Sequence, residues 1–230
     1  MKKVLVAITA LFCSLTSFAQ YSSGGFSLDE ENLYWGVRFG VTGASLGGDL
    51  DLGMKAGMTL GGVVGLRASD STPVFIESGL YYTERGGKSG DLVVPEGQPL
   101  AAGTYSVSRV GYNCLEIPLL IKYGIKATDD IAVLPFTGPV FSYAFNGKTK
   151  QKTAGSNGYE NPGTFDEKKA ATGGLKRANM GWKLGCGAEY NKLYLEVGYI
   201  FGITNVCKDK FDQDWSSHSN ALFVNIGVNF

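Results

Sequence analysis

The feature that most constrains this chain is a two-residue alternation whose two faces differ in an unusual way. In Leu193–Asn205, the residues Leu193, Leu195, Val197, Tyr199, Phe201 and Ile203 alternate with Tyr194, Glu196, Gly198 and Gly202. In Asn220–Phe230, Leu222, Val224, Ile226, Val228 and Phe230 alternate with Phe223, Asn225, Gly227 and Asn229. A period of two is strand geometry, with successive side chains on opposite sides. One face is a nearly unbroken band of large apolar residues. The other is mostly Gly, Ser and Thr, with one or two charges per strand. A water-facing surface carries denser charge and fewer glycines. Glycine makes up 33 of 230 residues, about twice the usual share. Such a face fits the packed interior of a narrow barrel, where small residues make room for a few long ones. The apolar band then has to face lipid. A soluble lipocalin-like binding protein also alternates and stands as a second alternative.

Eight segments carry the pattern. The first four are Leu33–Leu46, Met54–Arg67, Val74–Arg85 and Tyr105–Ile125. The last four are Ile131–Phe145, Asn179–Tyr190, Leu193–Asn205 and Asn220–Phe230. The fifth alternates poorly, and Pro135, Gly138 and Pro139 predict a bulge there. Pro118 in the fourth removes a ladder hydrogen bond and predicts a second bulge. The connections alternate between short (Ala68–Pro73, Lys126–Asp130, Asn191–Lys192) and generally longer (Gly47–Gly53, Gly86–Thr104, Asn146–Ala178, Val206–Ser219). Outer-membrane barrels pair tight periplasmic turns with long outer loops. The expected fold is therefore all-β, an eight-stranded antiparallel up-and-down transmembrane β-barrel over 33–230, with long outer loops near 86–104, 146–178 and 206–219. Trp35, Tyr82, Tyr123, Trp182, Tyr190 and Tyr199 are expected in the interfacial girdles.

The N-terminus reads as an export signal. Lys2 and Lys3 precede the apolar run Val4–Leu15, and Ser17-Phe18-Ala19 gives a small-x-small cleavage pattern. The expected signal peptide is 1–19, followed by a short periplasmic segment, 20–32. Cys13 follows Phe12 and so does not suit lipidation. No later segment holds enough consecutive apolar residues for a membrane helix. The net charge is zero, which gives no pull toward nucleic acid. Cys114, Cys186 and Cys207 remain, an odd number. Cys114 and Cys186 fall on opposite predicted faces, which argues against pairing them.

The candidate site is the lumen. Arg38, Arg67, Arg85, Lys122 and Lys183 fall on inward positions with Glu77, Glu116, Glu189 and Glu196. Buried charges need partners, so these nine predict a salt-bridge network plugging the tube. A proton or ion path is the functional alternative. Eight strands leave an interior that side chains can fill. Phe230, an aromatic terminus on the apolar face, resembles the signal read by the barrel-assembly machinery during biogenesis. No cofactor or metal site is expected. His218 is the sole histidine and no cysteine has ligand spacing. A Ser-His-Asp triad lacks its Gly-x-Ser-x-Gly elbow. Asp49 with Asp51, and Asp209 with Asp212 and Asp214, fit no EF-hand pattern. In the Asn146–Ala178 loop, Lys148, Lys150, Lys152, Lys168, Lys169, Lys176 and Arg177 outnumber Glu160, Asp166 and Glu167. Such a loop suits the phosphates of lipopolysaccharide or an acidic glycan.

A family resemblance rests on three stretches. Leu115-Glu116-Ile117-Pro118-Leu119-Leu120-Ile121-Lys122-Tyr123 resembles the Leu-Glu-Ile-Pro-Leu-Leu strand of PorT-like outer-membrane β-barrel proteins of Bacteroidetes. Glu77-Ser78-Gly79-Leu80-Tyr81-Tyr82 resembles that family's Glu-x-Gly-Leu strand. Gly198-Tyr199 through Gly202-Ile203-Thr204-Asn205 resembles its late Gly-Leu-Thr-Asn segment. The resemblance implies an eight-stranded barrel in the outer membrane, among its lipids, and no single activity. A few members resemble parts of a protein-secretion apparatus. The function expected is a non-enzymatic surface or scaffold role, with a gated pore or secretion-apparatus subunit as the alternative.

Overall fold

The computed structural model describes residues 33–69, 71–93, 105–128, 130–153, 163–165, 174–208 and 215–230. The expected signal peptide and its cleavage site, the segment 20–32, Asp209, Asp212, Asp214, Glu160, Asp166, Glu167, Lys168 and Lys169 lie outside the described residues.

The alternating segments form strands: β1 (Leu33–Gly48), β2 (Leu52–Arg67), β3 (Val74–Val93), β4 (Tyr105–Tyr123), β5 (Ile125–Lys126), β6 (Ile131–Thr153), β7 (Ala178–Tyr190), β8 (Leu193–Gly202) and β9 (Ser217–Asn229). β5 carries β4 past Gly124 and pairs with the same neighbour, β6. Every pairing is antiparallel, β9 returns to β1, and β4 meets β6. The result is a closed eight-stranded antiparallel barrel. Closure lets the backbone N–H and C=O groups of every strand pair with a neighbour on both sides, outside the register shifts and prolines, which is what hydrocarbon demands. It also leaves no edge.

The wall faces as the alternation predicts. Leu195 and Ile226 are 52% and 56% exposed, whereas Glu196 and Asn225 are 1% and 2% exposed. On β4, Leu115, Ile117, Leu119, Ile121 and Tyr123 are exposed, and Cys114, Glu116, Leu120 and Lys122 are buried. Cys114 points inward and Cys186 is half-buried on the outward row of β7; neither is in a disulfide. Tyr123, Trp182 and Tyr190, expected in the girdles, are exposed on the outer wall, as are Phe141, Tyr143 and Phe201. Tyr82 lies partway along β3, not at its end, because the strand runs on beyond it.

The prolines do not behave as expected. Pro118 pairs with Val140, and the β4–β6 register is unchanged from Cys114 to Lys122. Pro135, Gly138 and Pro139 pair in unbroken register with Cys186, Lys183 and Trp182. The shift in this part of the wall falls between Asn113 and Cys114, opposite Phe145. A one-residue slip at Pro118 would turn Glu116 and Lys122 to lipid and bring Ile117 and Leu119 inside. Losing one N–H donor costs less than that, so the register holds. The Pro118 carbonyl accepts the Ser78 hydroxyl at 2.8 Å.

Two strands also outrun their predicted ends. β3 continues to Val93 and β6 to Thr153. Past Arg85 and Phe145 the outward residues become polar, so the hydropathy signal stops while the ladder continues. Lys148, Lys150 and Lys152 therefore stand on a strand and not in a loop. The first long-side connection shrinks to Asp49–Asp51, because β1 and β2 run on toward each other. Short and long connections thus do not alternate strictly.

Candidate functional site

The inward rows of all eight staves converge on the lumen, where they build three polar tiers under an apolar lid. Glu77 centres the tier nearest the short-turn end. Its Oε2 accepts the Tyr34 hydroxyl at 2.6 Å and faces Lys122 Nζ at 2.8 Å and Arg38 Nη2 at 3.9 Å. Glu77, Arg38 and Lys122 are wholly buried. Arg38 donates to Asn229 Oδ1 at 2.5 Å, and Asn229 Nδ2 donates to Glu189 Oε2 at 2.7 Å. Lys122 donates to the Tyr194 hydroxyl at 2.8 Å, and the Arg38 guanidinium lies 4.0 Å from that ring's centre. Aromatic faces thus share the positive charge.

In the middle tier, Glu196 Oε1 accepts Asn225 Nδ2 at 2.7 Å and faces Lys183 Nζ at 3.5 Å. Lys183 Nζ lies 4.2 Å from the Phe223 ring centre. In the upper tier, Arg85 Nε meets Glu116 Oε1 at 2.5 Å. The Cys114 thiol donates to the same oxygen at 3.4 Å. A cavity beside Thr59, Arg85, Glu116 and Lys183 measures about 10 Å³, room for about one water. Above it, Leu46, Leu52, Val110 and Tyr112 from the strand tops pack against Leu50, Leu175, Val206 and Cys207 from the connections. Trp215 and Phe165 lean on this cluster.

Eight of the nine sequence-predicted charges line the lumen. Arg67 does not join them. It is half-buried at the short-turn mouth, its Nε donates to the Ser69 carbonyl at 3.0 Å, and its guanidinium lies 6.0 Å from the Phe75 ring centre. Without Arg67, the described residues of the interior include four cations (Arg38, Arg85, Lys122, Lys183) and four carboxylates (Glu77, Glu116, Glu189, Glu196), all buried. A low-dielectric tube favours such neutrality. Charge counting missed Tyr34, Tyr194, Asn225 and Asn229, the neutral groups that tie the tiers together. Their inward position in the alternation was the signal available.

Glycines make this filling possible. A Cβ on Gly65 would lie 2.2 Å from the Tyr34 ring, and one on Gly187 would lie 2.1 Å from the Tyr194 hydroxyl. Each ring lies flat across a neighbouring strand that has no side chain there. At the seam, Phe230 and Trp35 exchange backbone hydrogen bonds of 2.7 and 2.9 Å, and their rings stack at 4.5 Å.

Several solved structures resemble the chain. A major outer membrane protein from Thermus thermophilus is 14% identical, with 87% of this chain and 100% of that one covered and a TM-score of 0.46. The outer membrane protein OprG from Pseudomonas aeruginosa is 11% identical, with 89% and 99% covered and a TM-score of 0.45. Neisserial surface protein A is 14% identical, with 87% and 98% covered and a TM-score of 0.43. No curated protein sequence matches the chain. The family model for the outer membrane protein beta-barrel domain matches residues 18–208, and the chain, closed into its charge-filled eight-stranded tube, belongs to that family.

Proposed function

We propose that this outer-membrane barrel is a non-conducting, non-enzymatic surface or scaffold protein that acts through what its wall and long-loop end present. The observation that carries this reading is the sealed lumen. Three tiers of mutually neutralising side chains fill it, and the apolar cluster around Leu50, Leu175 and Cys207 closes its upper end. A solute path requires a continuous wet gap, and eight strands leave none once the interior is packed. The finer likeness to PorT-like proteins draws support from Leu115–Tyr123, whose Glu116 and Lys122 are buried beside an outward row of Leu115, Ile117, Leu119 and Ile121.

Single-channel recording in planar phosphatidylcholine bilayers tests the reading. The purified barrel should insert and remain silent. A steady open current from the wild-type protein would replace the scaffold with a pore.

A further inference from the structure

Above the apolar band, the outward rows of β3, β4 and β6 change character together. Lys88 pairs with Arg109, and Arg109 pairs with Lys150, so three cations stand side by side across three adjacent strands. Like charges directly opposite each other in a ladder destabilise it. One row nearer the barrel's middle, Gly86 pairs with Gly111 and Gly111 with Lys148. Two neighbouring outward positions therefore lack side chains, and the wall is hollow there. Gly86 takes φ 134°, a conformation open to glycine.

The hollow is a groove of about 390 Å³. Among the described residues, Lys55, Arg109, Lys148 and Lys150 line it against one carboxylate, Glu84. Lys55 reaches in from β2, its Cε 3.2 Å from where a Cβ on Gly111 would stand. Arg109, Lys148 and Lys150 are exposed, while Val110, Thr149 and Gln151 between them point inward. The cations therefore belong to the outer wall and not to the lumen. The next outward row down, Glu84, Asn113 and Asn146, forms the polar floor of the groove, and the row below that holds Tyr82, Leu115 and Tyr143, which pair in line. Phe145 lies beside them, its ring centre 6.1 Å from that of Tyr82.

This stacking of a cation-lined groove, with its polar floor, above an apolar, aromatic wall matches one kind of ligand. We propose that the groove binds the phosphate groups of a phosphorylated glycolipid of the outer leaflet, with its acyl chains lying down over Tyr82, Leu115, Tyr143 and Phe145. Guanidinium and ammonium groups suit phosphate oxygens as charge-assisted donors. The inference rests on the barrel standing in a membrane with its long-loop end outward. It does not rest on whether the lumen conducts.

The test uses the folded full barrel in a neutral detergent. Bis-phosphorylated lipid A is titrated in, and native mass spectrometry counts the retained lipid. The wild type should retain it. The triple variant Arg109→Gln, Lys148→Gln, Lys150→Gln should bind about tenfold more weakly or worse, since three of the groove's charge-assisted donors are lost. All three side chains are on the surface, and a compact, SDS-resistant band verifies that the variant still folds. Dephosphorylated lipid A should bind as weakly to the wild type as phosphorylated lipid binds to the variant. Equal retention by the triple variant, or of the dephosphorylated lipid, would overturn the proposal. So would inorganic phosphate competing at the same concentration as the lipid, which would mark a free-anion site. Tighter binding of a heparin fragment would overturn it in favour of a polysaccharide. A silent barrel that retains no lipid defeats this inference alone, whereas a conducting barrel that retains lipid defeats only the closed-lumen reading.

Discussion

The two ends of the lumen are closed by opposite kinds of chemistry. Toward the short turns, closure is ionic: Glu77, Arg38 and Lys122 sit with no exposed surface, held by strands that are hydrogen-bonded on both sides. Toward the long loops, closure is apolar. Leu50, Leu175, Val206 and Cys207 come from connections, and they pack on the strand tops as a small soluble core would. The contrast follows from what surrounds each end. Deep in the tube a charge has no water to return to, so rigid walls must supply its counter-charge. At the loop end water is near, and burial of leucine side chains is the cheaper way to order a connection. The ionic end should therefore fail globally when broken, and the apolar end locally.

Glu77→Ala carries the largest expected effect. It leaves Lys122 and Arg38 buried beside a missing partner, at a cost of about 3–5 kcal/mol. Urea unfolding of the barrel in detergent micelles reads this as a lower midpoint. The double variant Glu77→Leu, Lys122→Met should recover most of the loss, because an apolar pair needs no counter-charge. A single variant within about 0.5 kcal/mol of wild type would mean that the lower tier is solvated and that the two ends do not differ.

Leu175→Ala comes next, and its effect should be confined. Removing a buried leucine costs about 2–3 kcal/mol where the site collapses partway, here in the lid. Cys207 reports it. Burial pushes its thiol above the ordinary range, so little thiolate is present at neutral pH and maleimide labelling is slow. Loosening the lid lowers that pKa toward its usual value, and labelling accelerates. In a Cys114→Ala, Cys186→Ala background, Leu175→Ala should label several-fold faster with the urea midpoint unchanged. A midpoint that falls together with faster labelling would show lid and barrel to be one cooperative unit.

The same contrast explains what could be read from the sequence. Period-two alternation fixes faces, so the inward positions of Arg38, Glu77, Glu116, Lys122, Lys183, Glu189 and Glu196 were legible at once. Depth along the tube was not, because alternation says nothing about which inward residues share a tier. That is why the Asn229 link between Arg38 and Glu189 was missed. Proline's local preference for irregularity yields at Pro118 because turning a whole strand over would cost more. The lid was illegible for another reason: Leu50, Leu175 and Cys207 lie in segments with no period, and only closure of the barrel brings them together. The cation row was hidden by its length. Lys88, Arg109 and Lys150 are far apart in sequence, and the strands that align them continue where hydropathy has ended.

Arg67 gives the smallest effect and the sharpest test of what depth does to a charge. It lies on the same inward row of β2 as Gly65, and alternation alone ranks it with Arg38. Its guanidinium nevertheless lies at the mouth, where it is half-buried. Water there solvates both the charge and whatever neighbour it would leave behind, so a partly exposed contact is worth about 0–1 kcal/mol. Arg67→Ala should move the urea midpoint by no more than that, while Arg38→Ala, with Glu77 and Asn229 left facing an empty space in a sealed tier, should cost several times as much. Equal losses for the two arginines would place them in one electrostatic unit, and the four-to-four balance of the interior would then have to be recounted with five cations.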